Sequence, residues 1–219
     1  MLLGIVIFDF FVLPSITSLI GERPVINLLN NLALSFLLLT GVLALTRHKA
    51  TQIILAAIVA MIILVRWVRL IFGVTWLGGW DIFFSFVSAV TFVVVVLGHV
   101  YKEGPITSHR IQGAVVAYVL IAMAFALAYF LLEFLIPGSF QFQKAIVLDS
   151  QSWRDFYYFS ITTLTTLGYG DVTPTHPIAR NLSMAEALIG QLYPAILLAR
   201  MVSLHVSFHL QTKGPKKNE

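Results

Sequence analysis

Six stretches of this 219-residue chain are apolar for roughly 20 residues each, the length that crosses a hydrocarbon core of roughly 30 Å. They occupy residues 2–20, 25–46, 52–72, 80–101, 111–136 and 178–208, and little of the chain lies outside them. Such a chain is built for lipid: 58% of its residues are hydrophobic and 11% charged, whereas an average soluble domain is about 25% charged. In the bilayer a segment must satisfy its own backbone hydrogen bonds, so each run is expected to be a helix. The fold class expected is an all-α membrane protein with six transmembrane helices. The first run has the length of a signal peptide, but it carries Asp9, lacks a basic lead-in and shows no small-residue cleavage site, so it is read as a retained span.

Without cysteine the chain has no disulfide framework, thiolate metal site or catalytic thiol. The formal charge of +4 sits mostly in short loops, where it reports topology and not nucleic-acid binding. Arg47 and Lys49, then Lys102 and Arg110, then Lys213, Lys216 and Lys217 share one side, against Arg23, Lys144, Arg154 and Arg180 on the other. The positive-inside rule makes the first side cytoplasmic. Both termini are then cytoplasmic in a multi-pass protein of the cell membrane, and the connection over residues 137–177 is extracellular.

That connection is about forty residues long where the others have ten or fewer, and a loop of that length is usually functional. Ser152, with Asp155 three residues later, matches a capping box and predicts a helix start. From Trp153 to about Thr165 the segment is apolar and aromatic, about 20 Å of helix, too short to cross. It must enter and return, and such backbone is tolerated at membrane depth only where it is buried in protein or lines a water-filled cavity.

After it come Thr165, Thr166, Leu167, Gly168, Tyr169, Gly170 and Asp171. The segment 162–171 resembles the signature of tetrameric potassium channels, with Leu167 where the usual form has valine. The physical logic agrees. A potassium ion sheds water only if oxygens replace it, and rings of backbone carbonyls do so when consecutive residues turn C=O groups the same way. That requires positive φ at alternate residues, which Gly168 and Gly170 accept without steric cost. The resemblance implies a selectivity filter of Thr166, Leu167, Gly168, Tyr169 and Gly170, with potassium held at the carbonyls of Thr166 to Tyr169. It also implies support from Thr165, Asp171, Tyr157 and Trp153, and from Glu133 at the outer end of the fifth span. One chain supplies one loop, so a homotetramer is expected, with potassium as permeant ion and no cofactor.

The resemblance is to six-helix channels of bacterial type with a voltage-gated-channel-like fold. Residues 1–104 are read as a four-helix peripheral domain, 105–210 as the pore domain and 211–219 as a short basic cytoplasmic tail. The fourth span has no Lys or Arg from Asp81 to Tyr101, so weak voltage dependence is expected. Arg66 and Arg69, three apart in the third span, read as snorkelling side chains or as a displaced sensor. With eleven residues after Phe208, no cytoplasmic ligand-binding domain is expected; regulation would come through the membrane, the pore or a separate subunit.

Gly190 and Pro194 interrupt an otherwise good helix, as a gating hinge or as a packing notch of fixed shape. Glu186, an acid inside the membrane one turn earlier, reads as a gating element or a hydrogen-bond partner behind the re-entrant helix. His205 and His209 could share a helix face, and His176 follows the filter. Two other functions compete. Intramembrane aspartyl proteases share a Gly-x-Gly-Asp tetrapeptide, but the Tyr-Asp pair of such enzymes is missing here, where Phe8 precedes Asp9 and Trp80 precedes Asp81. A non-conducting accessory subunit would have no need of an intact filter. No enzyme activity is expected.

Overall fold

The structure, a computed structural model, describes residues 78–101, 107–143 and 152–212, together with scattered helical positions between 53 and 68. The spans expected at 2–20 and 25–46, and with them Asp9 and Arg23, lie outside the described residues, as do Arg66, Arg69 and the side chains of His205 and His209. Most of the peripheral domain read at 1–104 is therefore undescribed, and of the tail only 211 and 212 are described.

The described chain runs α1 (Gly78–Val100), α2 (Ser108–Leu135), β1 (Phe140–Phe142), α3 (Ser152–Leu164), β2 (Val172–Pro174) and α4 (Pro177–Thr212). Among these, α1, α2 and the Pro177–Ser203 part of α4 are long and apolar enough to cross a membrane. They correspond to the runs expected at 80–101, 111–136 and 178–208. α3 has 13 residues and begins at Ser152, the residue read as its cap, a one-residue difference of the size helix ends commonly show. Pro177 opens α4, where a proline's missing N–H costs nothing.

The all-α expectation needs one amendment. β1 and β2 pair antiparallel, Phe140 opposite Pro174, Gln141 opposite Thr173 and Phe142 opposite Val172. This short ladder ties the entrance of the long connection to its exit.

Packing follows from small residues on α2. Ala114, Ala117, Ala122 and Ala126 are buried there, and in lipid, where apolar contact alone gives no preference for protein over hydrocarbon, small side chains allow the close approach that holds helices together. One core joins Phe92 and Val96 of α1 with Val116, Ala117 and Leu120 of α2, Tyr157 and Leu164 of α3 and Tyr193 of α4. A second, aromatic core gathers Tyr129, Phe140, Phe156 and Phe159 with Val172 and Ala179. Its rings meet edge to face: Tyr129 on Phe159 at 5.1 Å, Phe140 on Phe156 at 5.2 Å and Phe142 on Phe156 at 5.4 Å. This is the arrangement the ring quadrupole favours. The short sheet is thereby fastened to α3.

Candidate functional site: the loop after α3

α3 ends in a tight hydrogen-bonded cap. The Thr162 carbonyl accepts from the N–H of Leu167 at 2.8 Å and of Gly168 at 3.2 Å, and Thr166 N–H donates to Thr163 O at 2.9 Å. The Thr165 hydroxyl turns back to Ile161 O at 2.6 Å, and that of Thr162 to Phe159 O at 2.9 Å. Beyond this cap the backbone takes an unusual course. φ is +60° at Thr166, +53° at Gly168 and +80° at Gly170. In ordinary strand, successive carbonyls point to opposite sides; reversing the sign of φ at every second residue brings consecutive carbonyls toward one side. Such a row of oxygens can replace the water around a cation. Positive φ at the two glycines matches the expectation. At Thr166 it is new: a threonine rarely adopts it, and the position costs roughly 1–2 kcal/mol.

Residues 165–170 are exposed in the single chain, Leu167 and Tyr169 by 60% and 68%. The ring of Tyr169 nevertheless lies parallel to that of Tyr158 on α3, centroids 6.2 Å apart and planes 3° apart. The Tyr158 hydroxyl is within hydrogen-bond reach of Asp171, whose Oδ1 accepts from the Val172 N–H at 3.1 Å and whose carbonyl accepts from the Gln143 N–H at 3.0 Å. Sequence reasoning missed Tyr158. It named Trp153 and Tyr157, whose rings are 6.0 Å apart and belong to the core shared with α1 and α2. Adjacent helical residues differ by about 100° in direction, so Tyr157 and Tyr158 face different partners.

Glu133 is buried at the end of α2, where Oε1 accepts from the Gly138 N–H at 2.8 Å and Oε2 from the Phe140 N–H at 3.1 Å. It organises the turn that launches β1. Gly138 turns with φ +85°, and Ser139 O accepts from Thr175 at 2.9 Å and His176 at 3.2 Å. Glu133 is thus linked through β1 and β2 to the segment after Asp171. His176 offers Nδ1 to the Ile178 N–H at 3.3 Å, at the start of α4.

Gly190 is buried against the last residue of α3: a Cβ there would stand 1.9 Å from Leu164 O. The same carbonyl accepts from the Tyr118 hydroxyl at 3.2 Å. Tyr118 stacks on Tyr193 at 5.8 Å, and Tyr193 donates to Ala114 O at 2.8 Å. The helix continues through Pro194, which is exposed. Glu186, fully buried, meets Tyr129 of α2 and Ser160 of α3. At the far end of α4, Arg200 lies over the Tyr101 ring at 4.7 Å and donates to the Tyr101 carbonyl.

Residues 115–206 match a protein family described as an ion channel. A two pore potassium channel of Oryza sativa subsp. japonica is 40% identical over 91 residues, 40% of this chain and 19% of the rice protein. Protein LctB of Bacillus caldotenax is 34% identical over 89 residues, 39% of this chain and 64% of that protein. The inward rectifier potassium channel Kirbac3.1 of Paramagnetospirillum magnetotacticum is 35% identical over 83 residues, 36% of this chain and 24% of the relative. The alignments thus span less than two thirds of these relatives. No solved structure matches the chain. The matches point to transport and away from catalysis. Residues 115–206 are similar to an ion-channel family domain, and the relatives that this chain resembles include potassium channels.

Proposed function

We propose that the chain is one subunit of a homotetrameric potassium-selective channel of the cell membrane, passing potassium passively through a filter formed by Thr166, Leu167, Gly168, Tyr169 and Gly170. The observation that carries this reading is the positive φ at Thr166, Gly168 and Gly170 directly after a short helix. Four such carbonyl rows around one axis supply the oxygen rings that a dehydrated potassium ion needs, and cyclic assembly brings them together. The carbonyl end of α3 carries the negative pole of its dipole, which lowers the cost of a cation in the membrane if that end faces the axis.

In this reading α3 is the pore helix, and Tyr158, Asp171, Thr165 and Glu133 hold the filter from behind. Trp153 and Tyr157 support the pore helix from the α2 side. Gly190 and Pro194 shape the inner helix α4. The termini are cytoplasmic and the filter loop extracellular. α1, the fourth span, carries no Lys or Arg from Gly78 to Val100, so opening depends weakly on voltage.

The test is the reversal potential of purified protein in planar bilayers, with potassium on one side and sodium on the other. A reversal far toward potassium, lost in Gly168→Ala, is expected. A reversal near zero in the native chain would overturn selectivity.

A further inference from the structure

The Ser160 hydroxyl carries one proton, yet its Oγ meets two acceptors. It lies 2.6 Å from the Ala122 carbonyl and in hydrogen-bond contact with Glu186 Oε1. A carbonyl oxygen and a carboxylate oxygen both only accept. An ionised Glu186 would therefore leave one of these contacts as oxygen against oxygen with no hydrogen between. On the other side of the carboxyl, the Tyr129 hydroxyl stands 2.5 Å from Oε2 and supplies a donor there.

All three contacts are satisfied together when Oε1 holds a proton. Oε1–H then donates to Ser160, Ser160 to the Ala122 carbonyl and Tyr129 to Oε2. Each hydroxyl that both accepts and donates is polarised by its neighbour, which strengthens the chain. Burial acts in the same direction, since Glu186, Tyr129 and Ser160 are all fully buried and an uncompensated charge is costly at this depth.

We propose that Glu186 is held as the neutral carboxylic acid, and that its proton closes a hydrogen-bonded clamp positioning α3 between α2 and α4. The titratable groups that face it come from α2, Tyr129 in contact and Tyr118 at longer range. α3 contributes the hydroxyl of Ser160, and α4 that of Ser183 beside Tyr129. The effect on conduction rests on the channel reading above, whereas the protonation state rests on the hydrogen bonds alone.

The test is infrared difference spectroscopy of the purified chain in detergent at neutral pH, native minus Glu186→Gln, with the glutamate carboxyls isotope-labelled. A neutral acid has a carbonyl stretch well separated from the carboxylate bands. That band is expected in the native protein and absent from Glu186→Gln. In Ser160→Ala, which removes the acceptor of the acid's proton, it moves to higher wavenumber. A native spectrum without the acid band overturns the proposal, as does a band that Ser160→Ala leaves in place, a result that stands even if Glu186→Gln fails to fold. Glutamine keeps a donating NH₂ for Ser160 and an accepting oxygen for Tyr129, the same polarity as the neutral acid, so potassium flux into vesicles through Glu186→Gln stays within about twofold of native. A loss of about tenfold, the size expected when a buried group loses its partner, would mean that both oxygens accept. Failure of the native chain to select potassium would sink the channel reading and leave the infrared result untouched.

Discussion

Gly190 on α4 packs directly on the carbonyl of Leu164, the last residue of α3, so closely that an alanine Cβ would sit 1.9 Å from that oxygen. The obstacle is backbone, and no side-chain rotation relieves it. Gly190→Ala must push α4 away from α3, with loss of the Tyr118–Tyr193 stack beside it. The expected cost is about 3 kcal/mol, the upper end of ordinary overpacking. It is read as a lower thermal unfolding midpoint of the purified protein and a smaller assembled fraction in size-exclusion chromatography. An unchanged midpoint would mean that α4 does not rest on Leu164.

Pro194 separates the hinge from the notch. It stands four residues after Gly190 and has no N–H to give the Gly190 carbonyl, a defect of about 3 kcal/mol in a helix interior. Pro194 is exposed, so Pro194→Ala restores the bond without disturbing the contact with Leu164. If the helix bends here to open, the variant folds normally but its single-channel open probability falls at least about tenfold, since about 1.4 kcal/mol of the restored bond suffices for that. An open probability equal to native would make the proline a kink of fixed shape.

The two readings of Gly190 could not be told apart in the sequence, because a glycine that bends and a glycine that lets two backbones touch are the same residue in the same apolar run. What was legible rested on local signals: the apolar lengths of α1, α2 and α4, the capping pattern before α3 and the glycine spacing after it. The rest depends on long-range partners. Glu186 meets Ser160 and Tyr129, 26 and 57 residues away, and no periodicity reports that. The strands have three residues each, too few for an alternation to show. Tyr158 and Tyr157 look interchangeable until the phase of the helix is known. The positive φ of Thr166 runs against its residue type, which marks it as a position imposed by its surroundings.

Thr166 and Gly168 therefore predict opposite changes in stability. Gly168→Ala places a Cβ in the left-handed region at φ +53° and costs roughly 1–2 kcal/mol. Thr166→Gly removes a comparable strain at φ +60° while deleting the hydroxyl. Thermal unfolding should show the first variant less stable than native and the second equal or more stable. Both should lose potassium-over-sodium selectivity in the bi-ionic measurement. A Thr166→Gly protein markedly less stable than native would show that the hydroxyl contributes more than the strain removes.

The same substitution, glutamate to glutamine, has opposite outcomes at Glu133 of α2 and Glu186 of α4, both buried. Glu133 accepts from two backbone donors, the Gly138 and Phe140 N–H groups, one on each oxygen. Glutamine can accept at only one of its two terminal atoms, and its NH₂ would face a second N–H. Glu133→Gln leaves a backbone donor unpaired at the turn that launches β1, for a loss of about 1–3 kcal/mol. Through the pairing of Phe142 with Val172, that loosening reaches the residue after Asp171. The expected result is a lower unfolding midpoint and a potassium conductance that declines during sustained opening, whereas Glu186→Gln stays close to native in both. Equal tolerance at the two positions would mean that Glu133 does not need both of its acceptor oxygens.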